Sequence, residues 1–179
     1  VMGLQLIFVV ETNKKSKSDW IYVKDTVDYF YKYERTEVKF SPIYMEGRGK
    51  YNSPKKQREI EQKISQYSVT SENNYSKVIY CFDCDKQDSK EDDRKFLEKA
   101  KKYCKEHEYE FVWFCKDVED VYLGKQVDRS EKTKEAVRFK KNNLIKKVDS
   151  KNLVAQTYKA KTSNIMKVLD RYEELNRNV

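Results

Sequence analysis

The chain has a single histidine, His107, among 179 residues, and that scarcity removes a large class of chemistry. Ser–His–Asp and Cys–His systems both need an imidazole as proton carrier. His107 falls at the C-terminus of a predicted helix, where a structural role outweighs catalysis. Glycine and proline are also rare, 4 and 2 residues, which fits a helix-rich chain with few tight hairpins. No G-x-x-x-x-G-K-[ST] spacing occurs, so a nucleotide cradle of that class is not expected. No apolar run is long enough to span a bilayer. Leu4–Val10 is short, has no basic region before it and ends in an acid, unlike a signal peptide. The reading is a cytoplasmic protein without membrane contact, forming one compact domain with no internal repeat.

What is plentiful is charge and aromatic surface. The 38 Lys and Arg outnumber 30 Asp and Glu for a net +8, which suits a polyanionic partner, although a generally Lys-rich surface gives the same sum. With 14 Tyr, 8 Phe and 2 Trp the chain can fill a core despite being 38% charged. Cys81-x-x-Cys84 has a zinc-like spacing, but an offset of three along a strand puts the two thiols on opposite faces. Together with Cys104 and Cys115 they read as small buried residues of a reducing compartment.

Two apolar runs carry the functional signal. Val78-Ile79-Tyr80-Cys81-Phe82 leads into Asp83-Cys84-Asp85, and Leu4-Gln5-Leu6-Ile7-Phe8-Val9-Val10 leads into Glu11. Near-continuous hydrophobicity marks strands buried on both faces, as in a parallel sheet. Alternation along a strand directs Asp83 and Asp85 to the same side. If the two strands are parallel neighbours, Glu11, Asp83 and Asp85 converge at the C-terminal edge, where open α/β sheets bind ligands. Three carboxylates suffice for one or two hard divalent ions. The competing reading is three solvated strand-end acids.

Between these runs, helical spacing of Trp20, Val23, Val27 and Phe30 predicts a helix over 19–33, with Ser18 as N-cap and Asp19 in its first turn. Glu37–Met45 reads as a strand whose Pro42 marks an edge or bulge. Ser53-Pro54 is a helix start, followed by Ile60, Ile64 and Tyr67 on one stripe. Ser89 and Asp92 resemble a capping box for a helix to about His107, with Phe96, Ala100, Tyr103 and Cys104 inward, and Tyr109–Cys115 is the next strand. The βαβαβαβ pattern implies an α/β fold, a four-stranded, mostly parallel Rossmann-like sheet flanked by helices, and bringing the first and third strands together requires an order such as 2-1-3-4. Residues 1–124 form this unit. Residues 125–179 form a helical C-terminal extension packed on it, ending in a helix over 162–176 with Ile165, Val168, Leu169 and Tyr172 aligned.

Other charges gather at the same edge. Asp117 and Asp120 read as a helix N-terminal turn, whereas Glu119 is an additional candidate metal ligand. Lys14, Lys15 and Lys17 follow Glu11, while Arg48, Lys50, Lys55 and Lys56 surround two glycines near a helix start where backbone N–H groups can meet phosphate. These seven are the candidate nucleic-acid contacts, with a solvated basic loop as the alternative. Lys140, Lys141, Lys146 and Lys147 read as surface.

A Glu after the first strand and Cys-Phe-Asp83-Cys84-Asp85 after the third resemble the Toprim domain of topoisomerases, bacterial primases and OLD-family nucleases. Phe111-Val112-Trp113-Phe114, leading to Val118-Glu119-Asp120, is similar to small stand-alone RloB-like Toprim proteins. The resemblance covers about residues 4–123 and departs at Thr12, where that family usually has Gly. It implies Mg²⁺- or Mn²⁺-dependent phosphodiester chemistry on DNA or RNA, a nuclease of the kind used in phage defence. Asp83 and Asp85 would hold metal, and Glu11 would hold metal or act as general acid–base. The other readings are a non-catalytic nucleic-acid-binding or assembly module, a receiver-like domain with Lys116 as its lysine, and an Asp-x-Asp nucleotide-sugar transferase. A homodimer or a protein partner is compatible with these readings.

Overall fold

The computed structural model describes residues 3–178. Val1, Met2 and Val179, at the outer ends of the two expected units, lie outside the described residues. In chain order the elements are β1 (Leu4–Val10), α1 (Ser18–Phe30), β2 (Tyr31–Lys32), β3 (Val38–Tyr44), α2 (Pro54–Ser68), β4 (Tyr75–Asp83), α3 (Glu91–Glu106) and β5 (Glu110–Phe114). Then come α4 (Val118–Leu123), α5 (Lys132–Lys141), α6 (Ile165–Leu169) and β6 (Asn176–Arg177). The main sheet runs β3-β1-β4-β5 with every pairing parallel, which is the 2-1-3-4 order expected. β1 is buried along its whole length, as its nearly continuous apolar run requires, with its one polar member, Gln5, donating to Ser76 Oγ at 2.9 Å. Pro42 lies on β3, an edge strand, where its missing N–H does least harm.

Two cores sandwich the sheet. Leu6, Phe8, Val23, Val27, Phe114 and Phe139 belong to one, which α1, α4, α5 and α6 cover. Ile7, Val9, Ile60, Phe82, Leu97 and Ala100 belong to the other, beneath α2 and α3. Each fully buried aliphatic side chain contributes about 1.5–3 kcal/mol by leaving water. The C-terminal extension therefore shares a core with α1. The chain leaves β1 over one face and returns to β4 over the other. The crossovers thus diverge between β1 and β4 and open a crevice at their C-terminal ends.

Four local expectations are corrected. Ser18 is the first residue of α1, not its cap: Lys17 in the left-handed region (φ 53°) turns the chain into the helix, and Ser18 Oγ is held by Ser16 Oγ at 3.2 Å. α3 starts after an extended Lys90 with no side-chain cap, so Ser89 and Asp92 form no capping box. β4 ends at Asp83, and Asp85 sits beyond it with φ 48°. The last helix shrinks to α6 because both of its flanks have other partners. Thr162 and Ser163 pair along β5, while Asp170 accepts from Tyr31 Oη at 2.8 Å and Arg177 Nε at 2.7 Å, drawing β6 against β2. Ser53 does cap α2, with Oγ accepting from the Lys56 N–H at 3.3 Å. All four cysteines are free and buried, with Cys81 and Cys84 in opposite cores. Among the described residues no helix is long and apolar enough to cross a membrane.

Candidate active site

Glu11 follows β1 and Asp83 ends β4, so the two acids meet where neighbouring parallel strands stop. The Asp83 N–H donates to Glu11 Oε1 at 3.2 Å, and Asp83 Oδ1 accepts from the Val118 N–H at 3.0 Å. A third carboxylate comes from α1, whose first turn must begin at this edge because its crossover does. Asp19 is buried there and accepts from the Thr12 N–H at 3.2 Å. α4 brings Glu119, 0% exposed, whose Oε2 accepts from Lys132 Nζ at 2.9 Å. Lys132 Nζ also lies 3.6 Å from Asp117 Oδ2. Asp117 caps α4 as expected, Oδ1 accepting from the Asp120 N–H at 2.8 Å. Glu119 Oε1 and Asp120 Oδ2 are buried with no hydrogen-bond partner among the described residues.

Crowding these acids out of water favours their protonated forms. Burial, then Asp19 and Asp85, push Glu11 up to about 8. Burial and Glu119 push Asp19 up to about 7, with Lys132 opposing. Asp83 is raised well above the carboxylate range by burial and by Glu11, Asp19 and Glu119. Glu119 is raised by burial against the pull of Lys132. Among the described residues Glu11, Asp19 and Asp83 make no salt bridge, and Lys132 is the one cation in contact with the group. A cavity of about 390 Å³ opens onto Glu11, Asp19, Asp83, Arg129 and Lys132. A larger groove of about 800 Å³ lies beside β2 and the start of β3, lined by Asp28, Glu34, Glu37 and Glu173 with Lys32 and Arg35. Its charges are mostly exposed, so water compensates them and their chemistry is ordinary.

Asp85 departs from the expectation that it shares a strand face with Asp83. Past the end of β4 its left-handed backbone carries the carboxylate to Arg48 at 2.8 Å, and Arg48 also holds Asp93 of α3 at 2.6 Å. The guanidinium lies 4.4 Å from the Phe96 ring centroid and keeps Asp93 below the usual carboxylate range. Of the seven candidate phosphate contacts, Arg48 is thus engaged, and Lys56 is buried against Glu59 at 3.1 Å. Lys14, Lys15, Lys17, Lys50 and Lys55 are exposed. His107 is structural, as expected, with Nδ1 2.8 Å from the Tyr103 carbonyl and its ring against Tyr103.

Among the described residues no group of three or more His, Cys, Asp or Glu side chains is arranged to hold a metal ion. Their chemistry nevertheless suits a hard divalent cation. The donors are carboxylates, they are under-compensated, and Glu119 Oε1 is an orphaned buried oxygen. Sequence reasoning missed Asp19 and Lys132 as members of this group. Asp19 had a signal, since a first-turn acid after a β1–helix crossover must lie at the C-terminal edge. No family model, curated protein or solved structure matches the chain.

Proposed function

We propose that this edge performs divalent-metal-dependent phosphodiester chemistry on nucleic acid, as a nuclease of Toprim type. The observation that carries the reading is the Glu11–Asp83 contact across β1 and β4, set among buried carboxylates that one lysine under-compensates. Clustering unneutralised acids costs several kcal/mol per ion unless a proton or a cation compensates them. Glu11 and Asp83 would hold the ion, with Asp19 beside them. A divalent cation there would neutralise charge on a phosphoryl group and acidify water without any protein nucleophile. The alternative role for Glu11 is general acid–base: off the ion it is raised to about 8 by burial and by Asp19 and Asp85, and it can take or release a proton near neutrality. Asp85 would be available to the ion only if Arg48 released it, and a phosphate would compete for that guanidinium as a bidentate acceptor.

The test is cleavage of labelled single- and double-stranded DNA and RNA with Mg²⁺ or Mn²⁺. Asp83→Asn and Glu11→Gln should each lower the metal-dependent rate by about 10²-fold or more, by analogy with loss of one transition-state donor, while circular dichroism stays unchanged. Equal cleavage by the wild type and both variants would sink the proposal. A binding or assembly module is the second reading, favoured by the fact that Arg48 and Lys132 already neutralise Asp85 and Glu119. It predicts tight nucleic-acid binding in EDTA and no cleavage with any divalent ion.

A further inference from the structure

We propose that Lys132 is a built-in counter-ion that takes the place of a second divalent cation, so that the chain binds one such ion, at Glu11 and Asp83. The inference rests on the metal-dependent reading above and concerns how many ions the acidic group accepts. Its first support is the position of Lys132 on its helix. Lys132, Ala136 and Phe139 follow one another at i, i+4 and i+7 on one face of α5, and Ala136 and Phe139 are completely buried. At the start of that stripe Lys132 is partly buried, with 27% of its side chain exposed, and its ammonium is turned toward the sheet edge.

The second support is what the ammonium touches. It reaches Glu119 Oε2 at 2.9 Å and Asp117 Oδ2 at 3.6 Å, and it acts across space on Asp19 and Asp83. The third is independent of the clustering: Glu119 is 0% exposed and its Oε1 has no partner among the described residues. Glu119 therefore depends on Lys132 for its compensation, and without the lysine a buried carboxylate would present two bare oxygens beside Asp117. Such a site demands either a proton or another cation. Among the described residues Glu11 and Asp83 have no cation in salt-bridge contact, Arg48 acting on Glu11 and Lys132 on Asp83 only across space, so the deficit that a metal ion would meet lies on their side of the group. The C-terminal extension thus supplies one cation to the sheet edge covalently, and solution supplies the other.

Manganese binding to the intact chain at pH 8.5 tests this by calorimetry and by electron paramagnetic resonance, both independent of cleavage. The wild type and Lys132→Arg should each take up one Mn²⁺ per chain, and Lys132→Met should take up two. The paired variant Glu119→Gln with Lys132→Met removes both charges and should return to one, which guards against misreading an unfolded single variant. Lys132→Met should also melt lower than wild type without metal and regain most of the difference in Mn²⁺. Two ions in the wild type, or one in folded Lys132→Met, would overturn the inference and leave the metal reading standing. No ion in any variant would overturn both.

Discussion

At Glu11 and Asp19 the folded chain holds protons that the same carboxyls release in an unfolded chain. Glu11 is displaced from 4.5 to about 8 and Asp19 from 3.8 to about 7. Between those limits the folded state binds more protons, so its stability is fullest in acid and falls as pH rises through the displaced values. Each group steepens the fall by at most about 1.4 kcal/mol per pH unit. The metal-free protein should therefore show a declining Tm between pH 5 and pH 8 by calorimetry. Glu11→Gln or Asp19→Asn should flatten the decline, and a profile that is flat in the wild type would contradict the buried-acid account. Glu11 and Asp83 were legible in the sequence because each ends a near-continuous apolar run. The destination of Asp85 was not, because alternation applies only while the chain stays extended, and Asp85 has already turned. Lys132 was illegible for a different reason: a lysine joining an apolar stripe reads as the stripe's solvent boundary.

β1 kept its expected bounds because its burial follows from its own residues, whereas the last helix, decided by tertiary partners, did not. β1 spans the seven residues of its apolar run because such a run has one way to be buried in a sheet. The last predicted helix lost its first turn to β5, and Asn164 shows how. Its side-chain Oδ1 accepts from the Trp113 N–H at 2.9 Å and its Nδ2 donates to the Phe111 carbonyl at 2.9 Å, copying a peptide unit beside the strand. Asn164→Ala would strip partners from two backbone groups of β5. It should destabilise the protein by about 1–3 kcal/mol, the cost of leaving a buried polar group unsatisfied. Urea unfolding with an unchanged m-value is the check, and a loss below a few tenths of a kcal/mol would mean that water replaces the amide.

Over the whole molecule, a net charge of +8 surrounds a carboxylate-rich edge that by itself repels polyanions. On the proposed nuclease reading, binding of nucleic acid would fall to exposed cations beside that edge, and Lys14, Lys15, Lys17, Lys50 and Lys55 are exposed. Replacing them with glutamine should weaken nucleic-acid binding and flatten its salt dependence, by about 0.9 in log–log slope for each lost duplex phosphate contact. An unchanged slope would assign the loops to ordinary solvated surface. The closure of β5 by Thr162–Asn164 has a consequence for how copies of the chain meet. One outer strand of the sheet already has a partner along much of its length, and the other, β3, carries Pro42, which offers no N–H there. Open strand edges are where proteins fuse sheets, swap segments or seed fibrils. Each margin of this sheet is thus partly blunted, which weakens the template it offers to a further strand.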